Sequence, residues 1–195
     1  MIKAIMLVVS PFSTWEKISL DRDNFLRVLF LFFTPLVLAC VAVEVAGLIY
    51  LQRPHDQPMA LNITPRLAYT YGICEAALTF LVVFLFAAVV RTIAKTFHRR
   101  NTFTQTFSVA AHSMGPFILV RMMDALPFMS PWATFGIAIV LSLSTLYHGI
   151  PPVLEPDPPS AFGTYFMSAV MLTMFAALAQ LIGHLVLSGT IRVHI

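Results

Sequence analysis

Ala76-Ala77-Leu78-Thr79-Phe80-Leu81-Val82-Val83-Phe84-Leu85-Phe86-Ala87-Ala88-Val89-Val90 runs without a charged residue between Glu75 and Arg91. Extended by its flanks to residues 67–93, it exceeds the roughly 20 residues of helix that cross a bilayer core. Four more such stretches lie at 25–51, 104–123, 131–150 and 163–188. The chain is 58% hydrophobic and only 11% charged, with mean hydropathy +0.84. A soluble domain of 195 residues has too little interior to hide that much apolar surface. The runs are continuous and do not alternate in strips of about ten residues, which disfavours a barrel. The expected fold is an all-α membrane protein with five transmembrane helices and a short N-terminal interfacial helix. Residues 1–24 are expected to form a cytoplasmic segment carrying that helix, and residues 25–195 the transmembrane domain.

Basic residues near the span ends set orientation. With the N-terminus in the cytoplasm, Lys3, Lys17, Arg22, Arg27, Arg91, Lys95, Arg99 and Arg100 lie inside, and Arg53, Arg66, Arg121 and Arg192 outside. The balance favours this choice, although the connection with Glu155 and Asp157 adds nothing to it. The expected location is a membrane, crossed several times.

Around residues 10–24, Phe12, Trp15 and Ile18 recur at helical spacing, and Ser13 with Glu16 forms a capping-box pattern. Trp15 is expected at headgroup level, where an amphipathic ring is well solvated. Pro35 and Pro116 are expected to kink their helices, with His112 donating to a carbonyl freed by Pro116. Five prolines between Ile150 and Phe162 read as a stiff, extended connection. Ala42 with Ala46, and Thr134 with Ala138 and Ser142, offer faces for close helix approach. Cys40 and Cys74 read as packing residues; no disulfide framework or metal spacing is present, and no metal or cofactor is expected.

Polar groups within the spans are the candidate site. A carboxylate in hydrocarbon is costly and needs a partner, water or a proton. Glu44 and Glu75 are each expected roughly 10–12 Å below the outer surface, at about 1.5 Å per helical residue. Gln180 lies at similar depth, with His184 one turn beyond and Arg121 near the end of its span. Cys40, Glu44 and Gly47 share a face, as do Tyr71, Glu75 and Thr79, and as do Thr173, Ala177, Gln180 and His184. Two readings stand open: a structural cluster of Glu44 or Glu75 with Arg121, or a site for a proton, an ion or a lipid headgroup. At the inner face, Lys95, Arg99 and Arg100 form a basic patch that attracts anionic lipid or a partner. With Trp15 they are the candidate lipid or partner interface.

The signatures of zinc peptidases, serine hydrolases, phosphate-binding loops and dinucleotide folds are missing, so no catalytic residue is assigned and no enzyme is expected. Net charge +3 on so apolar a chain does not point to nucleic acid.

Three stretches resemble the Yip family, the Ypt/Rab-interacting polytopic membrane proteins. Pro11-Phe12-Ser13-Thr14-Trp15-Glu16-Lys17-Ile18 resembles the family's proline–aromatic segment before the first span. Thr104-Gln105-Thr106-Phe107-Ser108-Val109-Ala110-Ala111-His112-Ser113-Met114-Gly115-Pro116 resembles its proline-ended stretch, with His112 where Tyr is commoner. Leu146-Tyr147-His148-Gly149-Ile150 resembles its tyrosine–glycine turn. The short form is similar to prokaryotic members, and only this resemblance implies that the membrane is a bacterial inner membrane. The resemblance implies a non-enzymatic adaptor or membrane organiser, in trafficking or envelope organisation, with the lipid bilayer and a membrane or small-GTPase-like protein as partners. The alternative from the residues themselves is a small proton- or ion-coupled permeation or lipid-handling protein using Glu44 and Glu75.

Overall fold

The computed structural model describes residues 2–21, 24–51, 64–96, 101–126 and 128–188, and all its regular elements are helical. They are α1 (Ile2–Val9), α2 (Pro11–Asp21), α3 (Phe25–Tyr50), α4 (Pro65–Thr96), α5 (Phe103–Arg121), α6 (Pro131–Leu154) and α7 (Pro158–Leu187). A short 3-10 turn, Met122–Ala125, follows α5.

Four of these, α3, α4, α6 and α7, are long and apolar enough to cross a membrane. The remaining expected span, 104–123, is the helix α5 but does not belong to that set. Its first half carries Thr104, Gln105, Thr106, Ser108, His112 and Ser113. The packing explains how the bundle tolerates this. Every residue from Thr106 to Ile118 is buried, so α5 meets protein on all sides. A helix enclosed by others has no need of a lipid-compatible surface. Small side chains at Ser108, Ala110, Ala111, Ser113 and Gly115 let the neighbouring helices close on it.

α5 starts at a capping box that the sequence reading missed. Thr102 Oγ1 accepts from Gln105 N at 3.3 Å, and Gln105 Oε1 accepts from Thr102 N at 2.9 Å. The expected box at Ser13 and Glu16 is corrected: α2 already begins at Pro11, where a proline suits the first helical position. Ser13 lies inside the helix and donates to the carbonyl of Ser10.

The prolines act locally, as their missing N–H requires. In α3 a π-helical run, Val28–Phe33, precedes Pro35, and the α-helix resumes at Thr34. The widened turns accommodate the lost donor. The extended connection expected over 150–162 is corrected. Pro151 and Pro152 belong to the last turn of α6, and Pro158 opens α7. Only residues 155–157 connect the two helices, with Glu155 in the left-handed region at φ 46°. Prolines are tolerated at a helix start, which is why α7 begins so much earlier than its apolar run.

The close approaches also differ from expectation. Thr134, Ala138 and Ser142 are fully buried where α6 packs on α5. Ala42 and Ala46 instead face outward. In α3 the contact is made by Gly47, where a Cβ would lie 2.7 Å from Ala125 Cα.

Candidate functional site

Arg121 is the centre of a buried polar cluster at one end of the bundle. The stem of α5 brings it in; α3 contributes Glu44, α4 contributes Tyr71 and Glu75, and the 3-10 turn contributes Asp124. Arg121 Nη1 donates to Glu75 Oε1, and Nη2 donates to the Tyr71 hydroxyl at 3.2 Å. Its Nε lies 3.4 Å from Glu44 Oε1 and 3.7 Å from Asp124 Oδ2. Cys40 Sγ donates to Glu44 Oε1 at 3.6 Å, and Thr134 Oγ1 donates to Asp124 Oδ1. The guanidinium also stands over the Phe117 ring, 5.9 Å from its centroid. Glu44, Glu75, Arg121 and Asp124 are 2%, 3%, 5% and 4% exposed, so water screens none of these charges.

Glu44, Glu75 and Arg121 thus meet as the helical faces implied. Asp124 and Thr134 complete the cluster, and the sequence reading missed both. The available signal was the spacing Arg121–Asp124, which puts the carboxylate one turn beyond the guanidinium. Thr79 shares the Glu75 face but its hydroxyl turns back to the Glu75 carbonyl at 2.8 Å. On α7 a residue with no side chain comes up against the cluster. A Cβ on Gly183 would lie 2.9 Å from Glu75 Oε2. Gln180 is buried on the same helix, and its Oε1 has no hydrogen-bond partner. His184 packs its ring against Trp132 at 6.3 Å. The expected inward stripe on α7 is corrected at Ala177, which is exposed. The inward face runs through Leu172, Ala176 and Gly183.

A space of about 10 Å³ remains beside Glu44, Glu75 and Arg121, too small for more than one water. Among the described residues no group of three or more His, Cys, Asp or Glu is arranged to hold a metal ion.

The other candidate surface lies at the opposite end. Lys95 is exposed in the last turn of α4, while Arg99 and Arg100 lie outside the described residues. Trp15 is corrected from a headgroup-level position to a buried one: its indole is 0% exposed. Its Nε1 donates to the Thr145 carbonyl at 2.9 Å. Its ring meets His112 edge-on at 5.8 Å and covers Gly149, where a Cβ would lie 2.4 Å from Trp15 Cζ2. His112 stacks on Phe32 at 4.3 Å, and its Nδ1 pairs with the Ser108 carbonyl at 2.8 Å. The carbonyl that Pro116 frees is that of His112 itself, so the ring's bond has a different origin from the one expected. Trp15, His112 and Gly149 come from three separate stretches, 11–18, 104–116 and 146–150. All three converge on one indole.

The Yip1 domain family matches residues 5–181. The chain belongs to the Yip1 domain family. No curated protein and no solved structure matches it. The Yip1 match takes in all three converging stretches, both short N-terminal helices from residue 5 onward, and the whole Arg121 cluster. Membership and the apolar helices together make this Yip1-domain chain an integral, multi-pass membrane protein.

Proposed function

We propose that the chain is a non-enzymatic membrane adaptor or organiser. Its working surface is the end of the bundle that carries α2 and the last turn of α4. The observation that carries this reading is the seating of Trp15. Locking the inner face of α2 onto α6 turns Phe12, Glu16 and Leu20, one helical ridge, outward. Phe12 and Leu20 are 74% and 77% exposed, large apolar side chains on a helix that is held and not free to fold away. Lys95, with Arg99 and Arg100 close behind it in sequence, adds positive charge suited to anionic lipid or an acidic partner.

In this reading α5 is a fifth span. Its 19 residues extend about 28 Å at 1.5 Å per residue, close to a bilayer core of about 30 Å. Its two ends support the assignment. Asn101, just before it, donates to the Leu154 carbonyl at the end of α6, whereas Arg121 sits with Glu44 and Glu75. The N-terminus is then cytoplasmic, in an inner membrane, on the balance of basic residues.

Crosslinking in native membranes followed by identification of bound proteins tests the adaptor. A partner lost on replacing Lys95, Arg99 and Arg100 is the expected result. Unchanged association in that variant counts against this surface.

One observation favours a second reading, a proton or ion site at Glu44 and Glu75. Among the described residues three carboxylates face one guanidinium, and Glu44 Oε2 and Glu75 Oε2 have no hydrogen-bond partner. Electroneutrality in a buried site calls for protons or a cation there. pH-dependent flux in liposomes that survives Glu44→Gln with Glu75→Gln would remove this reading.

A further inference from the structure

Between α2, α6 and α7 lies a groove of about 690 Å³. Phe12, Tyr147, Ala161, Phe162 and Tyr165 give it apolar walls, and α6 and α7 are both helices apolar enough to cross a membrane. Phe162 and Tyr147 are 69% and 55% exposed at its edge, and Phe162 stacks on the likewise exposed Phe166, with centroids 6.2 Å apart. The groove therefore continues into the lipid-facing flank of the bundle.

Its polar side chains are the Glu16 carboxylate and the His148 imidazole, with the phenols of Tyr147 and Tyr165, which donate or accept. Among the described residues that line it, Glu16 is the only Asp, Glu, Lys or Arg. Pro151 and Pro152, also in the lining, have no N–H. The carbonyls of Tyr147 and His148, four residues earlier in α6, consequently lose their helical donors. His148 Nδ1 lies 2.8 Å from the Ser144 carbonyl, so that nitrogen carries the proton. In the neutral ring Nε2 is then an acceptor too. A carboxylate, an imidazole, two phenols and two helix residues whose carbonyls lack their helical donors thus belong to the lining of an apolar groove.

We propose that this groove binds a membrane phospholipid with a primary ammonium headgroup, phosphatidylethanolamine. Its ammonium N–H groups donate to Glu16 and to the acceptors of Tyr147 and His148. An acyl chain runs along Phe162 and Tyr165 into the bilayer. Both parts of the groove enter the recognition: the walls take any lipid tail, and the acceptor set selects N–H donors over a trimethylated ammonium of equal charge. The proposal shares Phe12 and Glu16 with the adaptor surface but needs no protein partner, and the two are told apart because Glu16→Gln reads lipid retention whereas replacement of Lys95, Arg99 and Arg100 reads partner loss.

The test uses the full chain reconstituted in vesicles of phosphatidylethanolamine and phosphatidylcholine in equal amounts, with phosphatidylglycerol as the remainder. Lipids retained on the protein are then read by native mass spectrometry after gentle detergent release. Retention of phosphatidylethanolamine over phosphatidylcholine is expected at about tenfold, the scale of one charge-assisted hydrogen bond. In Glu16→Gln, an exposed position that leaves the core untouched, the preference is expected to fall towards unity. Ala161→Trp, which fills the groove, is expected to strip both lipids while helix content stays constant. Equal retention of the two lipids by the unaltered chain overturns the proposal. So does a preference that persists in Glu16→Gln, or a groove that retains a polypeptide and no lipid.

Discussion

Trp15 and Gly149 fit each other as ring and floor: the indole lies where any Cβ at position 149 would stand, 2.4 Å from Cζ2. The glycine is thus required by the neighbour and not by its own backbone, which is ordinary α-helix. The tryptophan in turn donates to Thr145, one helical turn before that glycine. This contact fastens the N-terminal helices to the bundle.

Gly149→Ala should therefore expel the indole. We expect a loss of about 2–4 kcal/mol, in the range of disrupted aromatic cores. Trp15→Ala should cost a similar amount by leaving a cavity. Because both changes break one contact, the double variant should be much less destabilised than the sum. Thermal denaturation in detergent reads all three; additive losses would show that the two residues act separately.

Removing Arg121 strands three buried carboxylates. Arg121→Gln is expected to destabilise by about 3–5 kcal/mol, as for a broken buried ion pair. Adding Glu75→Gln to that variant should recover part of the loss, since it removes one stranded charge. A double variant less stable than Arg121→Gln alone would mean that the Glu75 carboxylate is held by something other than Arg121.

Two glycines should respond oppositely to alanine. A Cβ on Gly47 would meet the Ala125 backbone at 2.7 Å, whereas one on Gly136 would meet nothing within 4 Å. Gly47→Ala should shift the Met122–Ala125 turn and loosen Asp124 from Arg121, with a loss of about 1–3 kcal/mol. Gly136→Ala should be neutral or stabilise by up to about 1 kcal/mol, through helix propensity. Parallel melting curves of the two variants check this, and equal losses would contradict it.

The ion pair between Lys3 and Asp21 spans 3.6 Å but is half exposed, at 44% and 57%. We expect Lys3→Ala to change stability by less than about 1 kcal/mol. A larger loss in detergent melting would assign α1 a tighter hold on α2 than its surface contact supplies.

Length and apolarity alone determined the solvent of this chain, its helical class and the position of each long helix. Those properties depend on runs of neighbouring residues, which a sequence displays directly. The meeting of Glu44, Glu75 and Arg121 was legible too, because helical period places them on inward faces at matching depths. Whether a particular polar or aromatic group faces protein or lipid was not legible. Trp15 has the composition of an interfacial residue, yet a glycine distant in sequence provides the space that buries it. Asp124 joins the cluster only because a 3-10 turn follows α5. The prolines near residue 151 read as a linker, but the helix ends absorb them. α5 shows the difference most plainly. Its run over 104–123 reads as a span like the others, yet its first half is polar, and the burial of Thr106–Ile118 arises from α1, α3, α4 and α6 packed around it, with the Trp15 ring of α2 against His112. Hydropathy is a property of a segment, while enclosure is a property of its neighbours, and only the tertiary structure brings those neighbours together.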